Sequence, residues 1–216
     1  MSQLAVGDGW STTVEVINTT AAPAQAQLTF SASDGTPLTL PLSYAGTTVS
    51  DSQLQQVLAP NARLVVNIAG STSAPVQIGS AHLASSPGVS GFIRYSYAPS
   101  GQDAIVPLET RQAASYVFPF DDTGGAATGV AVANSSATAA TIPVIIYDQT
   151  GAQIASDAVT LPAHGQTAFV LGARIAAAVN SRGSARFNTP AGGAISVLGL
   201  RFPNSGAFTT IPVIAQ

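Results

Sequence analysis

Apolar and polar residues alternate in short runs from one end of the chain to the other. In the first half the alternation is carried by Thr13-Val14-Glu15-Val16-Ile17, Gln25-Ala26-Gln27-Leu28-Thr29-Phe30 and Arg63-Leu64-Val65-Val66-Asn67-Ile68. Gly129 to Ala133, Ile142 to Tyr147 and Thr167 to Leu171 carry it in the second half. Successive side chains of a strand point to opposite faces, so period-two runs rich in β-branched residues predict half-buried strands. Gly, Pro, Asn and Asp punctuate the runs every ~8–12 residues, which suits an antiparallel sandwich better than a parallel sheet with crossover helices. The clearest turns are Asp34-Gly35 and Thr150-Gly151, because glycine accepts the positive φ of a tight turn. Helix is expected in two short places, Gly172 to Val179, where alanine is plentiful, and Ser52 to Leu58.

Shifted by 116 residues, the chain matches itself. Gly9-Trp10-Ser11-Thr12-Thr13-Val14-Glu15-Val16-Ile17-Asn18-Thr19-Thr20 falls on the segment from Gly125 to Ser136, and Asp34-Gly35 falls on Thr150-Gly151. Further along, the shift drops to between 103 and 106. Leu58-Ala59-Pro60-Asn61 then meets Leu161-Pro162-Ala163-His164, Gly79-Ser80-Ala81 meets Gly183-Ser184-Ala185, and Val106-Pro107 meets Ile211-Pro212. The drop places about a dozen extra residues in the first copy, near Ser43 to Ser52. A bias toward Ala, Thr, Ser and Gly does not explain matched Asn, Gly and Pro in the same order. The reading is an all-β chain of two tandem antiparallel, immunoglobulin-like β-sandwich modules related by internal duplication. The first spans 1–110 and the second 115–216, each with seven or eight strands, joined by a polar linker over 109–114.

The Gly-Trp-Ser-Thr-Thr-Val and Ile-Asn-Thr-Thr segments, the following Asp-Gly turn, and Gly192-Gly193-Ala194-Ile195-Ser196-Val197 resemble tandem repeats of large secreted or surface proteins of soil bacteria. That resemblance implies immunoglobulin-like sandwiches without assigned chemistry, and an extracellular or cell-surface setting. It carries over no catalytic residue. Met1-Ser2-Gln3 is read as the trimmed end of a longer chain.

Charge changes this picture by exclusion. Charged residues make up 8% of the chain, all seven basic residues are arginines, and the net charge is -3. A nucleic-acid surface needs a basic stripe to displace counterions, so nucleic acid is set aside. Disorder is set aside too, because the chain is 46% hydrophobic. No cysteine is present, which removes disulfides and thiolate chemistry. No run reaches the ~18 apolar residues of a membrane span.

Candidate chemistry is sparse. A serine-type triad needs a basic histidine, and the two available, His82 and His164, are read as a strand position facing outward and a turn residue. No Gly-x-Ser-x-Gly elbow occurs. Asp121-Asp122-Thr123-Gly124-Gly125 could offer carboxylates and carbonyls to calcium, against a turn reading of the same aspartates. Trp10 and Tyr97 could stack on a sugar or contact a partner, against a packing role. Asn18-Thr19-Thr20 and Asn134-Ser135-Ser136 fit a glycosylation acceptor, against a strand-end turn. No catalytic residue and no cofactor beyond possible calcium is expected. The first functional expectation is a non-catalytic structural or adhesive module whose partners are other modules or its own copies, since few charges guard its strand edges. A carbohydrate-binding module that holds polysaccharide is the alternative, and an enzyme with a site between the modules is the third.

Overall fold

In a computed structural model describing residues 1–216, nearly all regular structure is antiparallel strand. The chain divides into two compact units between Thr110 and Arg111, within the polar stretch read as a linker.

The first unit holds β1 (Leu4–Val6), β2 (Trp10–Asn18), β3 (Ala24–Ala32), β4 (Leu40–Tyr44), β5 (Thr47–Asp51), β6 (Gln53–Leu58), β7 (Arg63–Ala69), β8 (Gln77–Ser85), β9 (Val89–Tyr97) and β10 (Gln102–Pro107). They form two sheets, β1-β8-β3-β6 and β10-β9-β2-β7-β4-β5. The second unit holds β11 (Ser115–Asp121), β12 (Ala127–Asn134), β13 (Ala140–Asp148), β14 (Gln153–Leu161), β15 (Gln166–Val170), β16 (Arg182–Asn188), β17 (Ile195–Phe202), β18 (Thr209–Ile211) and β19 (Ile214–Ala215). Its sheets run β14-β13-β16-β11-β19 and β15-β12-β17-β18.

The self-match of the sequence maps one unit onto the other. β11, β12, β13 and β14 take the places of β1, β2, β3 and β6, and β15 to β18 take those of β7 to β10. Under that map β1-β8-β3-β6 becomes β11-β16-β13-β14, and β10-β9-β2-β7 becomes β18-β17-β12-β15. The two units share one strand order. The extra residues of the first copy are the β4–β5 hairpin, attached to β7, and the second unit adds β19 beside β11. These additions raise the strand count above the expected seven or eight. Relative to an immunoglobulin domain, the central second–fifth and third–sixth pairings are kept. The first strand lies beside the sixth and the seventh beside the second, an exchange of sheets.

Alternation sets the cores. Along β13, Ile142, Val144 and Ile146 are buried while Thr141 and Pro143 are exposed. They pack with Tyr116, Phe118 and Phe120 of β11 and with Val130 and Val132 of the opposing sheet. Phe118 and Phe187 stack at 5.8 Å in this core. In the first unit Val14, Val16, Leu28, Phe30, Ile68 and Ile93 are buried to 1% or less.

One helix expectation holds and one is corrected. Over 172–179 the chain forms the single turn α1 (Leu171–Arg174) and a 3₁₀ turn at Ala176–Ala178. Leu171, Ile175 and Ala178 recur at helical spacing and are all buried. Of residues 52–58, by contrast, Gln53–Leu58 form strand β6. Leu54 and Leu58 are buried while Gln53, Gln55 and Val57 are exposed, a period of two that pairing with β3 imposes over helix propensity. No helix is long and apolar enough to cross a membrane.

Candidate functional site

Two asparagines close equivalent corners of the two units. Asn18 ends β2 and Asn134 ends β12, and each is at most 1% exposed. The Asn18 amide donates to the carbonyls of Ala22 at 2.8 Å, Leu58 at 3.2 Å and Ala59 at 3.0 Å. Asn134 donates to Thr138 at 2.8 Å and Pro162 at 2.9 Å. The side-chain oxygens accept the N–H of Thr20 and of Ser136, each at 3.0 Å. The amide nitrogen that glycosylation would use is buried and committed in both. The turns they hold also match, because Asn61 and His164 both sit at φ 57°, a left-handed conformation that Asn and His adopt more readily than most residues. His164 is thus a turn residue in the second unit. His82, exposed on β8 opposite Thr29, belongs to the first.

Asp121 and Asp122 lie where β11 leaves its sheet, and they have separate environments. Asp121 Oδ1 accepts the Thr123 hydroxyl at 2.6 Å and its N–H at 3.1 Å, and Arg182 Nε stands 3.0 Å away. A second guanidinium, that of Arg201, lies 3.9 Å from the other carboxylate oxygen. The Thr123 hydroxyl and Arg182 hold this carboxyl down at about 2. Asp122 is 6% exposed, and burial raises its pKa although Thr128 and the Gly172 N–H oppose the rise. No group of three or more His, Cys, Asp and Glu side chains with metal-holding geometry occurs. An arginine already stands beside the more accessible carboxylate, where a cation would be attracted.

Asp121 gives the fold a contribution to stability that depends on acid pH. Its folded pKa lies below an ordinary carboxyl value of about 3.9. The stability it adds is complete above that value and disappears as pH falls through about 2. Melting curves should therefore place Asp121→Asn below the parent protein at neutral pH, with the gap closing as pH approaches 2. A gap that is constant across that range would contradict the assignment.

Trp10 and Tyr97 are brought together. They are register partners at the ends of β2 and β9, with ring centroids 4.7 Å apart and planes tilted by 31°. Both rings are half-buried. Gly9, at φ 82°, lets Pro99 close against this corner, since a Cβ there would lie 2.7 Å from the proline ring. In the second unit the corresponding positions are Ala126 and Pro203, and Gly125 packs against Asn204 instead. A different aromatic pair, Phe202 and Phe208 at 6.3 Å, lies along this part of β17 and the loop after it. Sequence reasoning missed it, because the two residues lie in different segments and only the fold of the loop joins them.

No protein-family model matches the chain and no curated protein matches it. Among solved structures it aligns with an anti-sigma factor domain-containing protein, 10% identical over 93% of this chain and 81% of that one, at a TM-score of 0.19. A superposition that weak carries no argument about fold or function.

Proposed function

We propose that the chain is a non-catalytic structural and adhesive module, two duplicated β-sandwiches of an extracellular or cell-surface bacterial protein. The observation that carries this reading is how the frame common to both units uses its buried polar groups. Asn18 and Asn134 hold corners in both units, and in the first unit Thr12 also ties β1 to β2 by accepting the Ala5 N–H at 3.2 Å and donating to the Ala5 carbonyl at 2.8 Å. The positions that could host chemistry differ between the units: Trp10 against Ala126, Glu15 against Ala131, His82 against Arg186. A repeated scaffold with divergent surfaces suits work done by surfaces and assembly. Exposed apolar side chains on edge strands point the same way, among them Val57 at 65%, Ile105 at 54% and Ile214 at 57% exposure. Cells displaying the chain on their surface should adhere to one another or to a substratum more than cells displaying an unrelated sandwich. Equal adhesion would contradict the reading.

The Trp10–Tyr97 pair favours a second reading, a carbohydrate-binding module. It is tested by incubating the chain with insoluble polysaccharides. Under the adhesive reading the chain stays in the supernatant. Retention that Trp10→Ala abolishes would replace that reading with sugar binding.

A further inference from the structure

The sheet β1-β8-β3-β6 contains no Asp, Glu, Lys or Arg in any of its strands. Its terminal strand β6 reads Gln-Leu-Gln-Gln-Val-Leu, without charge or proline. Natural proteins guard edge strands with charges, prolines, bulges or shortness. Most other edges in this chain have such guards. β10 carries Asp103 and Pro107, β5 carries Asp51, and β1, β18 and β19 have three residues or fewer. β15 (Gln166–Val170) has neither charge nor proline in the strand, and there the Arg174 guanidinium lies 5.0 Å from the Phe169 ring.

The matching edge of the second unit shows what β6 lacks. On β14 the Asp157 carboxylate accepts the Ala158 N–H at 2.7 Å, and Arg174 donates to the Ala158 carbonyl at 2.9 Å while pairing with Asp157 at 2.5 Å. Both backbone groups of Ala158 are thereby occupied by side chains. Gln55 is its counterpart in the first unit. Leu54 and Ser71 stand where Asp157 and Arg174 would be, so the plug cannot form.

The orientation of β6 follows from its ladder. Phe30 N–H donates to Ser52 C=O at 2.8 Å, so Ser52 points its backbone at β3. Alternation along an antiparallel strand then turns the backbone groups of Gln53, Gln55 and Val57 outward. Asp51 accepts the Gln53 N–H at 3.1 Å, which leaves Gln55 and Val57 as complete donor–acceptor pairs.

We infer that β6 is a self-association edge, pairing antiparallel with β6 of a second copy of this chain to join two four-stranded sheets into one. A two-fold axis at Gln56 sets Gln55 against the second copy's Val57, so that each exchanges both backbone bonds with the other. The same register sets Leu54 against Leu58 on the inner face and Gln56 against Gln56. A strand that carries no charge meets itself without repulsion, and glutamine both donates and accepts. This inference rests on the structural and adhesive reading and names its contact.

The test is sedimentation velocity on the full chain over a wide concentration range, with Gln56→Lys, Gln56→Glu and Gln55→Pro. The parent protein should dimerise with rising concentration. Each charge variant places like charges across the axis and should weaken the dimer by about ten-fold or more. An equal mixture of the two should restore it. Gln55→Pro removes an outward N–H without touching the ladder to β3, and should also give monomer with an unchanged melting temperature. A parent protein that is monomeric throughout, or a dimer that all three variants leave intact, overturns the β6 contact. Surface labelling and cell adhesion that persist in either case leave the module reading standing, so the two failures are distinct.

Discussion

Asn134→Ala is expected to lower the melting temperature of the second unit by about 10 °C or more. The side chain donates to two carbonyls and accepts one N–H, and it is 1% exposed, so water cannot replace those bonds in place. Leaving buried polar groups unpaired costs ~1–3 kcal/mol each. Asn134→Asp separates donation from acceptance. It keeps an acceptor for Ser136 but cannot donate to Thr138 or Pro162, and should therefore be destabilised as well. Asn18→Ala should do the same to the first unit, where the amide reaches Ala22, Leu58 and Ala59. Calorimetry on the three variants checks this, and a change below ~1 kcal/mol would mean that the corners do not depend on asparagine.

Gly183→Ala should be at least as damaging, for a steric reason. A Cβ on Gly183 would lie 1.8 Å from the carbonyl oxygen of Tyr147 on the neighbouring strand. Backbone cannot swing aside as a flexible side chain can, so β13 and β16 must separate, at a cost of about 3 kcal/mol or more. The matched Gly79 meets the Ser31 carbonyl at 2.3 Å, so Gly79→Ala should behave alike. Gly151→Ala is the control. Its φ is 85° and nothing lies within 4 Å of the added atom, so it should cost only the ~1–2 kcal/mol of a left-handed alanine. Denaturant unfolding should rank Gly183→Ala well above Gly151→Ala, and equal losses would refute the close-approach argument.

These two sets of positions also show what was legible before the fold was known. Matched Asn18 and Asn134, and matched Gly79 and Gly183, stood out as self-similarity, and each has a local physical cause that any copy of the frame must retain. The alternating runs became strands because period-two burial is written in adjacent residues. Features that depend on distant partners were not legible. Residues 52–58 looked helical until pairing with β3 made Gln53–Leu58 strand β6. Asp148, which anchors the second turn through the N–H groups of Thr150 and Ala152 at 2.8 and 3.0 Å, does not align with Asp34, whose carboxylate serves Thr36. The same kind of turn is held from a different position. Trp10 and Tyr97 were both candidates, but their contact depends on the register between β2 and β9. The Asp157–Arg174 plug on β14 joins a strand to α1, and no sequence pattern marks it.

The proposal that this scaffold acts through its surfaces outside the cell is tested most directly by labelling intact source cells with an antibody raised against the chain, before and after mild protease treatment. If the proposal is right, unbroken cells or their secreted fraction are labelled, and the label is lost on protease treatment. Labelling only after the cells are lysed would contradict it.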